Sequence, residues 1–246
     1  MMQYAAIAAL VLGAFVWGIA AGTYKVFPFA QLQALHEAVT TTAGVGGNGV
    51  YRDNTVATER GLAMADWDTR AEIVVIGDSI TEMAPWKDMF PDADILNRGA
   101  SGDTVSGVEV RLDAILRAEP DRAFVLVGTN DLNLGNPIEA VLRKYGMVID
   151  RLKAAGVDTT IQTVPACEPA LDICTMKRRA DEVALNSGIQ QLAQEKGVVL
   201  IDLAAEFPGG REYRADGVHP TMAGYKAWRD VLSPHITAQP QAEAAE

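Results

Sequence analysis

The stretch Val74–Glu82 reads VVIGDSITE; with Ile73 before it, an unbroken β-branched run meets a glycine, then an acid and a serine. Ile73 to Ile76 predict a strand that is apolar on both faces, the pattern of an inner strand in a parallel sheet. Gly77 ends the run where the backbone turns sharply. Ser79 then stands at the carboxyl edge of the strand, where open α/β sheets place their ligands. A serine there is either a helix N-cap or a nucleophile. Only its partners elsewhere in the chain decide between the two.

Outward from this strand, strands and helical segments alternate. A short strand is predicted at Asp94–Leu96. A helix follows over Val105–Arg117, with apolar residues at 105, 108, 112, 115 and 116 and a stop at Pro120. Ala123–Val127 is a second buried strand ending in Gly128. Ile138–Ala155 is a helix closed by Gly156, and Thr159–Val164 a strand. Lys177–Lys196 is a helix ended by Gly197, Val198–Asp202 the last strand, and Thr221–Leu232 the closing helix. Strands separated by helices mean a parallel sheet with helices on both faces.

The chain has 246 residues, about half of them hydrophobic (49%), and a net charge of -11. That is enough for one domain with a substantial core plus appendages. The acidic balance argues against nucleic acid as a partner. The Lys177-Arg178-Arg179 run reads as a solvated helix start.

The amino-terminal region differs from the rest. No residue from Gln3 to Tyr24 is charged, which is long enough to cross a bilayer as a helix. A cleaved signal peptide is the rival, with Gly18-Ile19-Ala20 as its cleavage site, but no basic region precedes the run. Residues 1–25 are therefore expected to be a membrane anchor. Residues 26–68 are expected to be a juxtamembrane segment and linker, including the flexible stretch TTTAGVGGNG at Thr40–Gly49. The catalytic-type domain is expected over 69–237, and a disordered acidic tail over 238–246. Lys25, after the span, favours a cytoplasmic side. The cysteines point the other way. Cys167 and Cys174, in CEPALDIC, are either a disulfide of an oxidising compartment or two separate buried thiols. Neither their spacing nor any His cluster suits zinc.

A serine nucleophile needs a base, and the base needs an orienting acid. Of the three histidines, His36 lies in the juxtamembrane segment and His235 follows Pro234 near the end of the chain. His219 lies in YRADGVHPTMAGY, three residues after Asp216, so one loop can bring the carboxylate to the imidazole. An Asp-Gly turn with a surface histidine is the plainer alternative. Two glycine-bearing loops after predicted strands could stabilise an oxyanion. NRGASGDT, Asn97–Thr104, offers the Gly102 amide, and VGTNDL, Val127–Leu132, offers the Asn130 side chain. Phosphate binding and an Asx turn are their respective rivals. Met83, Trp86 and Met89 are core residues or the lining of an acyl pocket.

Together these blocks resemble the SGNH hydrolases, the GDSL family of esterases and lipases. GDSIT, NRGASGDT, GTND and DGVH occur in the family's order over roughly Glu72–Trp228, with Ile80 in place of the family's leucine. The resemblance is closest to the branch with platelet-activating-factor acetylhydrolase-like and lysophospholipase-like esterases. It implies a flavodoxin-like three-layer α/β/α sandwich. It further implies Ser79 as nucleophile, His219 as base, Asp216 as its orienting acid, and an oxyanion hole from Ser79, Gly102 and Asn130. Neither metal nor organic cofactor is implied. An α/β-hydrolase is excluded because Thr81 stands where its motif needs a second glycine. The expected activity is hydrolysis of acyl or acetyl esters of small molecules, glycans or lipids on the periplasmic side of a membrane. An O-acetyltransferase with the same site and a non-catalytic anchored binding module are the alternatives.

Overall fold

In a computed structural model of the chain, the residues described are 51–64, 69–168, 174–207, 210, 212–214 and 216–237. The expected membrane anchor (1–25), most of the expected linker and the acidic tail lie outside them. Among the described residues, no helix is long and apolar enough to cross a membrane.

The VVIG run forms β1 (Ile73–Gly77), every residue of which is buried. Its side chains alternate between two separate cores. Val74 and Ile76 enter one, Ile73 and Val75 the other. This is why the run shows no polar alternation: neither face of the strand meets water. β1 pairs in parallel with β2 (Ile95–Gly99) on one side and β3 (Arg122–Leu126) on the other, with Gly77 level with Gly99 and Leu126. β4 (Asp158–Gln162) and β5 (Val199–Ile201) extend the sheet to the order β2-β1-β3-β4-β5. The chain thus leaves β1 in one direction and returns on its other side. In such sheets the usual ligand position is at that reversal, here the carboxyl ends of β1 and β3.

Helices cover both faces, giving three layers. On one face α4 (Val105–Leu116), α6 (Ile138–Ala154) and α7 (Met176–Lys196) bury Val108, Leu112, Tyr145, Ile149, Leu185 and Ile189. On the other face, α3 (Trp86–Met89) and α9 (Met222–Ile236) bury Trp86, Met89, Tyr225, Trp228 and Leu232. The Trp86 and Trp228 rings meet edge to face with centroids 5.2 Å apart. Trp86 and Met89 are therefore core residues, while Met83 is exposed. Three further short helices, α2 (Ser79–Glu82), α5 (Thr129–Asn133) and α8 (Leu203–Glu206), follow β1, β3 and β5.

Two of the departures from the sequence expectation concern the ends of the domain. Residues 51–64, placed by sequence in the linker segment 26–68, pack on the domain, and Thr55–Met64 form helix α1 against α4. Polar bonds of Tyr51–Asn54 to distant loops hold them there, and no local pattern announces these. The closing helix passes through Pro234 to Ile236 instead of stopping at Leu232. Arg122 donates to the carbonyls of His235 and Ile236, two of the end carbonyls that no intrahelical bond satisfies.

Candidate active site

Asp78 caps α2, its Oδ1 accepting from the Ile80 amide at 3.0 Å, so Ser79 is the first helical residue and not the cap. The turn is tight. A Cβ at Gly77 would run into the Leu126 carbonyl oxygen and the Thr81 side chain, so the chain can leave β1 this way only with glycine there. Burial pushes the Asp78 carboxyl up to about 7, with the Ile80 amide and His219 pulling the other way.

His219 reaches Ser79 from 140 residues away: Ser79 Oγ lies 2.8 Å from Nε2. The loop that carries it is folded around Asp216. The amides of Val218 and His219 both donate to Asp216 Oδ1, at 2.9 and 2.8 Å. That fixes Oδ2 at 2.6 Å from His219 Nδ1. With Nδ1–H donating to the carboxylate, Nε2 is left as the acceptor facing the serine hydroxyl. Burial alone would raise the Asp216 carboxyl. The hydrogen bonds from the His219 ring and the two amides outweigh it and hold it below the usual carboxylate range.

The loop is anchored on several sides. Thr221 caps α9, and its amide donates to Tyr213 O at 2.7 Å. Tyr225, one turn into α9, donates from its hydroxyl to Ile80 O at 3.2 Å, tying the helix after the histidine to the helix that bears the serine. Glu168 N donates to Gly217 O at 3.3 Å. The neighbouring Cys167 is disulfide-bonded to Cys174, with Cα atoms 5.5 Å apart.

Gly102 lies in the loop after β2 and Asn130 in α5, which follows β3, both at the same sheet edge as Ser79. Gly102 has φ +85, a conformation that glycine alone adopts cheaply. Asn130 donates one amide hydrogen to Asp103 O at 2.8 Å, which orients the side chain and leaves its second N–H.

Under these loops lies a polar scaffold that the motifs did not reveal. Asp103 and Arg111 form an ion pair of 2.7 Å, with side chains 0% and 1% exposed. Arg111 also donates to Gly77 O at 3.2 Å. One guanidinium thus joins the end of the Ser79 strand to the loop that holds Gly102 and orients Asn130. Asp131 accepts from Val105 N at 3.0 Å, from Asn136 Nδ2 at 3.1 Å and from the Tyr51 hydroxyl. Burial raises the carboxyls of both Asp103 and Asp131, against the pull of Arg111 in the first case and of Tyr51 in the second. A cleft of about 980 Å³ opens elsewhere, lined by Arg70, Ile73, Phe90, Glu119 and Ile236. It lies at the amino end of β1, the opposite end from Ser79.

Comparison with known proteins agrees with this architecture. Residues 75–227 match the GDSL-like Lipase/Acylhydrolase family. The chain belongs to that family, and its class is that of an ester-hydrolysing enzyme. Among curated proteins none matches. Of solved structures, a Streptococcus pneumonia protein named after platelet activating factor is 21% identical, with 84% of this chain and 99% of that one covered and a TM-score of 0.67. A GDSL-like lipase from Bacteroides thetaiotaomicron is 19% identical over 74% of this chain and 98% of that one, at a TM-score of 0.64. An acetyl xylan esterase is 20% identical over 67% of this chain and 98% of that one, at 0.60. At these identities the three show a shared fold.

Proposed function

We propose that the protein is a serine esterase working through an acyl-enzyme on Ser79. The observation that carries the reading is the continuous chain Ser79 Oγ–His219 Nε2 (2.8 Å) and His219 Nδ1–Asp216 Oδ2 (2.6 Å). Ser79 Oγ attacks the ester carbonyl carbon while its proton passes to Nε2. The tetrahedral oxyanion is held by the amides of Ser79 and Gly102 and the second N–H of Asn130. Collapse breaks the ester C–O bond, and the imidazolium returns its proton to the leaving alcohol. Water then attacks the acyl-enzyme with His219 again taking the proton, and the acid departs. Asp216, held ionised, stabilises the imidazolium at both steps.

Acetyl esters are the first substrates to try, because an acetyl xylan esterase and a lipase both share the fold. The uncharged stretch Gln3–Tyr24 supports attachment to a membrane, and the Cys167–Cys174 disulfide supports a domain on its extracytoplasmic side. The test is hydrolysis of p-nitrophenyl esters from acetyl to long acyl chains by the full chain beside its Ser79→Ala variant. Loss of turnover in the variant is expected. Equal turnover in both would remove Ser79 from the chemistry.

A further inference from the structure

Tyr51–Asn54 lie outside the family-matched residues 75–227, yet each of the four is hydrogen-bonded to the connection between β2 and α4 or to the one between β3 and α6, which includes α5. Asn54 Nδ2 donates to Gly102 O at 3.1 Å. Asp53 Oδ1 accepts from Thr104 Oγ1 at 2.6 Å. Arg52 exchanges two backbone bonds with the Asn136 side chain, 2.7 Å from its N–H and 2.8 Å to its carbonyl. Tyr51 donates its hydroxyl to Asp131 and accepts from Ser106 N at 3.2 Å. The segment therefore crosses from the Asn130 loop to the Gly102 loop and fastens both.

From this we infer that Tyr51–Asn54 is a strap that positions the oxyanion hole, with Asn54 the residue that holds Gly102 in place. The inference rests on the reading of Gly102 and Asn130 as oxyanion donors. Its physics is preorganisation. A donor lowers the barrier only if it already points at the developing charge. Gly102 is the least restrained residue type in the hole, and its N–H direction depends on neighbours that hold the turn. Asn54 fits against it so closely that a Cβ at Gly102 would come 2.6 Å from Asn54 Nδ2. The same side chain also holds the start of α1, where its Oδ1 accepts from Ala57 N at 3.3 Å. These two bonds use different atoms and can be separated. Asn54→Asp keeps the acceptor toward Ala57 and loses the donor toward Gly102, whereas Asn54→Ala loses both.

The experiment compares wild type, Asn54→Asp, Asn54→Ala, Tyr51→Phe and Ser79→Ala in the full chain, reading kcat, KM and the thermal midpoint with p-nitrophenyl acetate. The strap predicts that Asn54→Asp lowers kcat about ten- to a hundredfold, the scale of a misplaced catalytic group, while KM stays within about twofold and the midpoint stays near wild type. A purely structural role predicts instead that Asn54→Ala lowers the midpoint and Asn54→Asp restores both midpoint and kcat. That result, with Ser79→Ala inactive, overturns the strap and leaves the esterase reading standing. Ser79→Ala turning over like wild type overturns the esterase reading itself. If both Asn54 variants fail to fold, Tyr51→Phe decides. It keeps the ring and removes the bond to Asp131, so a several-fold loss of kcat supports the strap and an unchanged kcat overturns it.

Discussion

Arg111→Met is the sharpest probe of how the site is held. The change keeps most of the aliphatic volume and removes the charge. It leaves Asp103, whose side chain is 0% exposed, without its partner at 2.7 Å. Breaking a buried pair in this way costs about 3–5 kcal/mol near neutral pH. For a chain of this size each kcal/mol lowers the midpoint by about 2–4 °C, so a fall of about 6–20 °C follows. The cost also has a predicted pH dependence. Without Arg111 the Asp103 carboxyl in the folded state moves further above its unfolded value, because burial already pushes it up. A carboxyl raised in the folded state contributes stability below its unfolded pKa and loses it as pH rises toward the folded one. The slope in that window is about 1.4 kcal/mol per pH unit. The penalty should therefore be smaller at pH 5 than at pH 7.5. Urea unfolding of wild type, Arg111→Met and the double variant Asp103→Asn/Arg111→Met at pH 5 and 7.5 reads this directly. The double variant should recover most of the loss at pH 7.5, since no buried charge remains. A penalty under about 1 kcal/mol at pH 7.5, or one that ignores pH, would refute the assignment of Asp103–Arg111 as a charged pair on which the loops depend.

Asn130→Ala should lower kcat by about 10²–10³ with little change in KM, measured with p-nitrophenyl acetate, and an unchanged kcat would remove the side chain from the oxyanion hole. Asp78→Asn should flatten the dependence of the thermal midpoint on pH. Burial holds the Asp78 carboxyl at about 7, above its ordinary value of 3.8, so its contribution is present at acid pH and lost as pH rises from about 4 to 7. At pH 8 the variant should melt above wild type, and a lower midpoint there would contradict the assignment.

What the sequence revealed and what it hid follow one physical line. β1 and β3 are legible because IVVI and AFVL need no partner to be read: an apolar run bounded by glycine can only be buried. β2 runs past the predicted end at Leu96. Asn97 and Arg98 look like loop residues, and only their pairing with Val75 and Ile76 keeps them in the sheet. The four motif loops are legible since each carries its glycine or its Asp-x-x-His spacing locally. The scaffold beneath them is not. Tyr51 and Asp131 meet across 80 residues, and Arg52 and Asn136 across 84, which no local pattern records. Arg111 does leave a trace. It falls three residues after Val108 and four before Ile115, on the apolar face of α4. A charge in that position implies a buried partner.

The most direct test of the account is where a reactive acyl mimic attaches. The full chain is treated with a fluorophosphonate, in which serine oxygen displaces fluoride at phosphorus, and the digest is mapped by mass spectrometry. One adduct is expected, on the peptide bearing Ser79, with a much slower reaction in His219→Ala. An adduct on another residue, or none from protein that still hydrolyses esters, would contradict it.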